Sequence, residues 1–377
     1  MNGTIRRAKV DARIKEVGLL YDELTFQTRS MWPDGRLNVQ MLRQIEQLVL
    51  SMEEDDSPPF AFKWRPSGEA QCWMSHVGNE LLKIFHWIPP QLPAGIHFSE
   101  RVYIFHRRYC EMKGDFPGTC QYFGGCLQSP LKPQQGKWFN SFASVVKAHL
   151  RDVKVKGAIR SAESSAEKRY QDACAYFDSL FLKAPDLLLI TMEFSMAPTL
   201  ARASGSVPDE VIDLPGRGGV KRQQLRVVAN LQEMLAKGRH RKAFSTMVGF
   251  MGRWSRSEEK GTFARVVFFL DGSKVADGFE VTAAIGNEWV SKYSVGYGKY
   301  EISYLSRAES EDSLFPVRIS RADIKQRRAV KQSVILYMTK LGLVYQDPAL
   351  QVRSQFFRGE LPSKKPSSSR GKTSVSL

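Results

Sequence analysis

The chain has 377 residues, 42% hydrophobic and 11% aromatic, enough to bury two cores and too apolar for global disorder. Its 55 Lys and Arg face 39 Asp and Glu, a net charge of +16 with pI near 9.6. Such a surplus costs self-repulsion unless it meets an anion, which points to nucleic acid before acidic lipid. The opening MNGTIRRAKVDARIKEVG holds no long apolar span or signal-like leader, so the expectation is a cytoplasmic protein with no membrane partner.

Residues 11–55 carry helical apolar spacing, as at Leu42, Ile45 and Leu48, and end in acidic residues. The aromatic-rich stretch 58–130 contains NELLKIFHWI (79–88), which reads as a buried helix. LQSPLKPQQGKW (127–138) has linker composition and suggests a boundary, making 1–135 a mostly helical N-terminal domain. Five cysteines, an odd number, argue for reduced thiols. His106 with Cys110, Cys120 and Cys126 lacks the Cys-x-x-Cys pair of a compact zinc module, so buried thiols are the better reading.

Lys-rich helical sequence fills 139–181, and the pattern then changes. PDLLLITMEFSM (185–196) reads as a buried strand, and KRQQLRVVANLQEMLAKG (221–238) as a helix. AFSTMVGFMGRW (243–254) and the run after EEKG, TFARVVFFLDG, read as second and third strands joined by a charged turn. A helix over 275–293, a short strand EISYLSR and a long helix from about Ser320 to Val344 complete the order. This order, β-α-β-β-α-β plus a C-terminal helix, is the ferredoxin-like or RRM-like α+β plan, with an antiparallel sheet and helices on one face. It spans 136–355, and 356–377 reads as a disordered basic tail. RGKTS in that tail lacks the earlier glycine and the strand–helix setting of a phosphate-binding loop.

The third strand carries the oddest feature. Residues two apart share a face, so Phe263 and Arg265 lie with Val267 and Phe269 on a surface otherwise suited to burial. Phe263 can cap the core with Arg265 reaching past it to solvent, or the two can stack a base and grip a phosphate. RGGVKRQQLR (217–226) and KGRHRK (237–242) concentrate cations at both ends of one helix, making Arg222, Arg226, Arg239 and Arg241 candidate phosphate contacts.

WSRSEEKG, the strand ending FFLDGSK, and then AAIGNEW, GYGKY and VILYMTK together resemble the YagK/YfjJ family, which includes gene-two-like replication proteins of filamentous phages and prophages. The resemblance covers about 135–350 and implies an HUH-type initiator. In such a protein two histidines on the third strand hold a divalent metal, and a helix tyrosine attacks the scissile phosphate with a lysine beside it. The tyrosine and lysine fall on Tyr337 and Lys340, and the histidine positions on Phe263 and Arg265. Ser255 stands where an acidic residue is usual, and Thr191-Met192-Glu193 where Arg-x-Asp is usual. The six histidines, at 76, 86, 97, 106, 149 and 240, all lie outside the core beyond its second strand.

A His-x-His metal site is thereby excluded, and Mg or Mn would need other ligands such as Glu193 and Asp271. Tyr337 also shares a helical face with Val330, Val334 and Leu341, so a core position competes with the nucleophile reading. The resulting expectation is a diverged replication-initiator-like protein that binds single-stranded DNA or an origin hairpin, its nicking activity undecided. A host replication protein is a further candidate partner. The alternative is a non-catalytic regulatory or RNA-binding module on the same core.

Overall fold

The structure, a computed structural model, describes residues 2–31, 39–85, 87–89, 91–92, 96–118, 122–123, 126–127, 131–196, 217–257, 260–302, 317–350, 352 and 354–360. The N-terminal portion comprises α1 (Asn2–Met31), α2 (Val39–Glu54), the hairpin β1 (Phe60–Trp64) and β2 (Ala70–Met74), and α3 (His76–Phe85). It continues with β3 (His97–Phe98), α4 (Glu100–Met112), the small hairpin β4 (Tyr122–Phe123) and β5 (Cys126–Leu127), α5 (Pro133–Arg151) and α6 (Val153–Leu180). The helical run expected over 139–181 divides at Asp152. Its extended backbone ends α5, and its carboxylate accepts from the Lys154 and Val155 amides to start α6.

The second portion holds β6 (Asp186–Met196), α7 (Arg217–Lys237), β7 (Met247–Ser257), β8 (Gly261–Asp271) and α8 (Gly278–Glu288), which runs into a π turn at Trp289–Tyr293. Then come β9 (Gly298–Ile302), β10 (Val317–Ser320) and α9 (Ile324–Val330). A π turn at Lys331–Ile335 leads into α10 (Leu336–Lys340), and β11 (Tyr345–Gln346) and β12 (Phe356–Arg358) come last. The fold is α+β. Its main sheet has six strands, ordered β6–β8–β7–β12, with β9 and β10 sharing the other edge of β6, and every pairing is antiparallel.

Alternation along β6 and β8 produces two apolar faces. Leu188, Ile190, Phe194, Val266 and Phe268 meet Val227, Leu231 and Met234 of α7, Ile285 of α8 and Trp289. On the reverse, Leu187, Leu189, Met251, Val267 and Phe269 pack on Phe177 and Leu180 of α6 and Val334 of the C-terminal helical run. Helices therefore cover both faces, not the single face expected, because the strands are apolar on both sides and an open apolar face would not stay solvated. Phe269, wholly buried beside Phe177, is a position where truncation to Ala costs about 3–5 kcal/mol.

The same core continues into Leu42, Ile45, Phe105, Phe139 and Phe142, so burial does not stop at 135. Residues 133–138, expected as linker, begin α5 instead. Pro133 occupies the first helical turn, and Trp138 packs edge-on against Phe85 and Phe116. The expected tail also starts too early, since Phe356–Arg358 pair with Met251–Arg253 of β7. The end of the tail, with RGKTS, lies outside the described residues, as do the side chains of Cys120 and Cys126. No helix among the described residues is long and apolar enough to cross a membrane.

Candidate functional site

A row of charge crosses the centre of the sheet. Register pairs Glu301 of β9 with Glu193 of β6, Glu193 with Arg265 of β8, and Arg265 with Arg253 of β7. Directly paired residues share a face, so two carboxylates and then two guanidinium groups stand side by side. Like charges in direct register repel; here a shared lysine offsets one repulsion, and separate partners offset the other. Lys260 donates to Glu193 at 2.6 Å and also bonds Glu301, joining the two acids. Arg265 donates from Nε and Nη2 to the same Glu193 oxygen at 2.9 and 2.5 Å. Arg253 turns away, donating to the Met338 carbonyl at 3.2 Å and the Gln355 amide oxygen at 2.5 Å.

The row is closed from above by the C-terminal helix. The π turn at 331–335 widens the helix locally and re-aims its last turn, so that all five residues of α10 are buried. Tyr337, 3% exposed, lies with its ring centroid 5.4 Å from the Arg265 guanidinium carbon. Lys340 points to the outer side of α10 and donates to Glu16 of α1 at 2.9 Å and Glu167 of α6 at 2.5 Å.

Burial sets the electrostatics. Desolvation alone would raise the Glu193 carboxyl, but the charges of Arg265 and Lys260 outweigh it and hold the pKa below the usual value. Burial depresses Arg253 to about 10, with the neighbouring Arg169 acting in the same direction. Burial also opposes the charge of Lys340, yet its bonds to Glu167 and Glu16 raise its pKa overall. Tyr345, the other tyrosine near this helix end, is pushed up by burial and by Asp347, which makes its phenol a still poorer nucleophile.

The structure brings Tyr337 and Arg265 together but corrects what Arg265 and Phe263 were expected to do. Neither is an exposed base or phosphate contact. Phe263 is 4% and Arg265 3% exposed, with Glu193 engaging the Arg265 fork and the Lys260 ammonium 5.6 Å from the Phe263 ring centroid. Lys340 is not poised beside a phosphate site under Tyr337; its ammonium serves two acids on other helices. Arg226 and Arg241 are exposed, while the side chains of Arg222 and Arg239 lie outside the described residues. Arg226 sits on α7, which covers the face of the sheet opposite Tyr337, so the basic helix and the buried tyrosine lie on opposite sides of the sheet.

The residues present do not fit a metal. A guanidinium offers donors only and repels a cation, and Asp271 lies six residues along β8 from Arg265, about 20 Å at strand spacing. Asp271 also accepts from Ser273 at 2.6 Å and pairs with Lys274 at 2.8 Å. Among the described residues no group of three or more His, Cys, Asp and Glu could hold a metal ion. His106 is 3.7 Å from the Cys110 sulfur and has its Nε2 2.9 Å from the Pro89 carbonyl oxygen.

Arg253, Lys260 and Glu301 escaped the sequence reading. Arg253 was the findable one, two residues from Met251 and thus on the same face as that buried side chain. Lys260 and Glu301 become visible only once register sets them beside Glu193. No family model, curated protein or solved structure matches this chain.

Proposed function

We propose that this protein binds nucleic acid as a diverged relative of HUH-type replication initiators, and that an ion-pair row has replaced the metal-nicking centre. The observation that carries this reading is the placement of Tyr337 over Arg265, with Arg265 held by Glu193. The resembled family's tyrosine and metal-binding strand would face each other in this way, but here a paired cation fills the metal's position. The strand order β9–β6–β8–β7, with α7 and α8 on one face, supports the ferredoxin-like plan.

With Phe263 and Arg265 at the histidine positions of the third strand and the Arg265 charge already paired with Glu193, Tyr337 lacks the metal that would draw charge from a phosphate and lower the barrier to attack. Binding is the function that remains, and the +16 net charge with exposed Arg226 and Arg241 supports it. A titration of labelled single-stranded and duplex DNA across salt concentrations tests the proposal. Affinity should fall steeply with salt, by about 0.7 to 0.9 log units per log unit of salt for each phosphate contacted. No measurable binding at low salt would overturn it.

A further inference from the structure

The hairpin β1–β2 packs on α5 and holds two indoles in solvent. Trp64 is 64% and Trp73 56% exposed, whereas tryptophan is ordinarily among the most buried residues by area. Register explains the exposure. Trp64 pairs across the ribbon with Ala70, and Trp73 with Ala61, so the side chain directly opposite each ring is only a methyl group. The pairs alternate faces, which puts one open indole on each side of the hairpin.

The base of the hairpin is fixed while these rings stand free. The Asn140 amide of α5 makes both bonds to the Phe60 backbone, accepting from its N–H at 2.9 Å and donating to its carbonyl at 2.7 Å. Gly136, one turn earlier on α5, admits the Phe62 ring, since a Cβ there would lie 2.2 Å from it. The turn is equally determined: Pro66 fixes φ, the Gly68 amide donates to the Arg65 carbonyl at 2.9 Å, and Gly68 takes φ of +83°.

Lys63 and Arg65 flank Trp64 in sequence, and Lys63 shares the face of Trp73. Isolated rings on opposite faces do not make the continuous apolar patch that a protein partner buries. Separate rings interleaved with cations suit a flexible polyanion whose bases stack singly while its phosphates meet the charges. Resting on the nucleic-acid reading above, we infer that the β1–β2 hairpin is a stacking platform for single-stranded nucleic acid, with Trp64 and Trp73 as base contacts and Lys63 and Arg65 as phosphate contacts.

The test uses the full chain and a fluorescent oligothymidylate, with a duplex of equal length in parallel. Trp64→Ala and Trp73→Ala should each lower single-strand affinity about fivefold or more, since a base stacked on an aromatic ring contributes at least that much. Duplex affinity should change less than twofold, and Trp73→Phe, which keeps a ring, should recover most of the loss. If the double alanine variant binds oligothymidylate as tightly as wild type, the indoles serve another partner, such as a protein. The hairpin assignment is then overturned while nucleic-acid binding stands. If the wild type binds neither probe at low salt, the functional proposal itself falls.

Discussion

Arg265 and Glu193 are cross-strand partners at the centre of the sheet, joined by two hydrogen bonds at 2.9 and 2.5 Å under the ring of Tyr337. Both are buried, so each makes the other tolerable. Removing the carboxylate would take this compensation from a buried guanidinium.

Glu193→Gln is therefore expected to destabilise the protein by about 3 kcal/mol near neutral pH, read from urea or thermal melts. The pH dependence has a definite sign. Glu193 has a folded pKa below its usual 4.5, so its contribution is complete above that value and is lost as pH falls through the folded pKa. The gap between wild type and variant should close in acid. A gap that stays constant down to about pH 3 would mean that Glu193 ionisation does not matter to the fold.

Lys340 is expected to act as a structural clamp. Its bonds to Glu16 and Glu167 tie α10 to α1 and α6. Both acids keep contact with solvent, 34% and 49% exposed, which limits the loss when the lysine is removed. Lys340→Met should cost about 1–2 kcal/mol and leave nucleic-acid affinity unchanged. Because the folded pKa is raised above 10.5, the stabilisation is present throughout the neutral range and disappears as pH rises through the folded pKa. A marked loss of binding at unchanged stability would return Lys340 to a phosphate-contact role.

How far the fold could be read from the sequence depended on contrast with flanking residues. The run 185–196 and the run before Asp271 are contiguous apolar stretches closed by Asp-Gly or proline, and both became strands. Val317–Ser320 and Phe356–Arg358 have four and three residues, too few for a period to show, and both joined the sheet. The β1–β2 hairpin stayed hidden because its indoles face solvent, against the rule that aromatics mark buried faces. At the site, Tyr337 and Arg265 could be matched only through the family resemblance. The Glu193 pairing needed the register of two strands about 70 residues apart, which no local pattern encodes.

The cations of α7 and the turn after it should carry duplex and single-strand binding alike. Reversing Arg226 and Arg241 to Glu is expected to weaken both and to lower the salt slope by about two, one for each lost phosphate contact. A variant with wild-type affinity and slope would remove this surface from the interface.

The most direct measurement is one incubation of the full chain with single-stranded and supercoiled DNA, with Mg or Mn present. It is resolved in parallel on native and denaturing gels. The expected result is retarded DNA in the native lanes, with neither a covalent protein–DNA species nor a nicked circle in the denaturing lanes. Tyr337→Phe should give the same pattern. A metal-dependent covalent adduct that Tyr337→Phe abolishes would contradict the proposal, since the buried Arg265–Glu193 pair would then sit beside a working nicking centre.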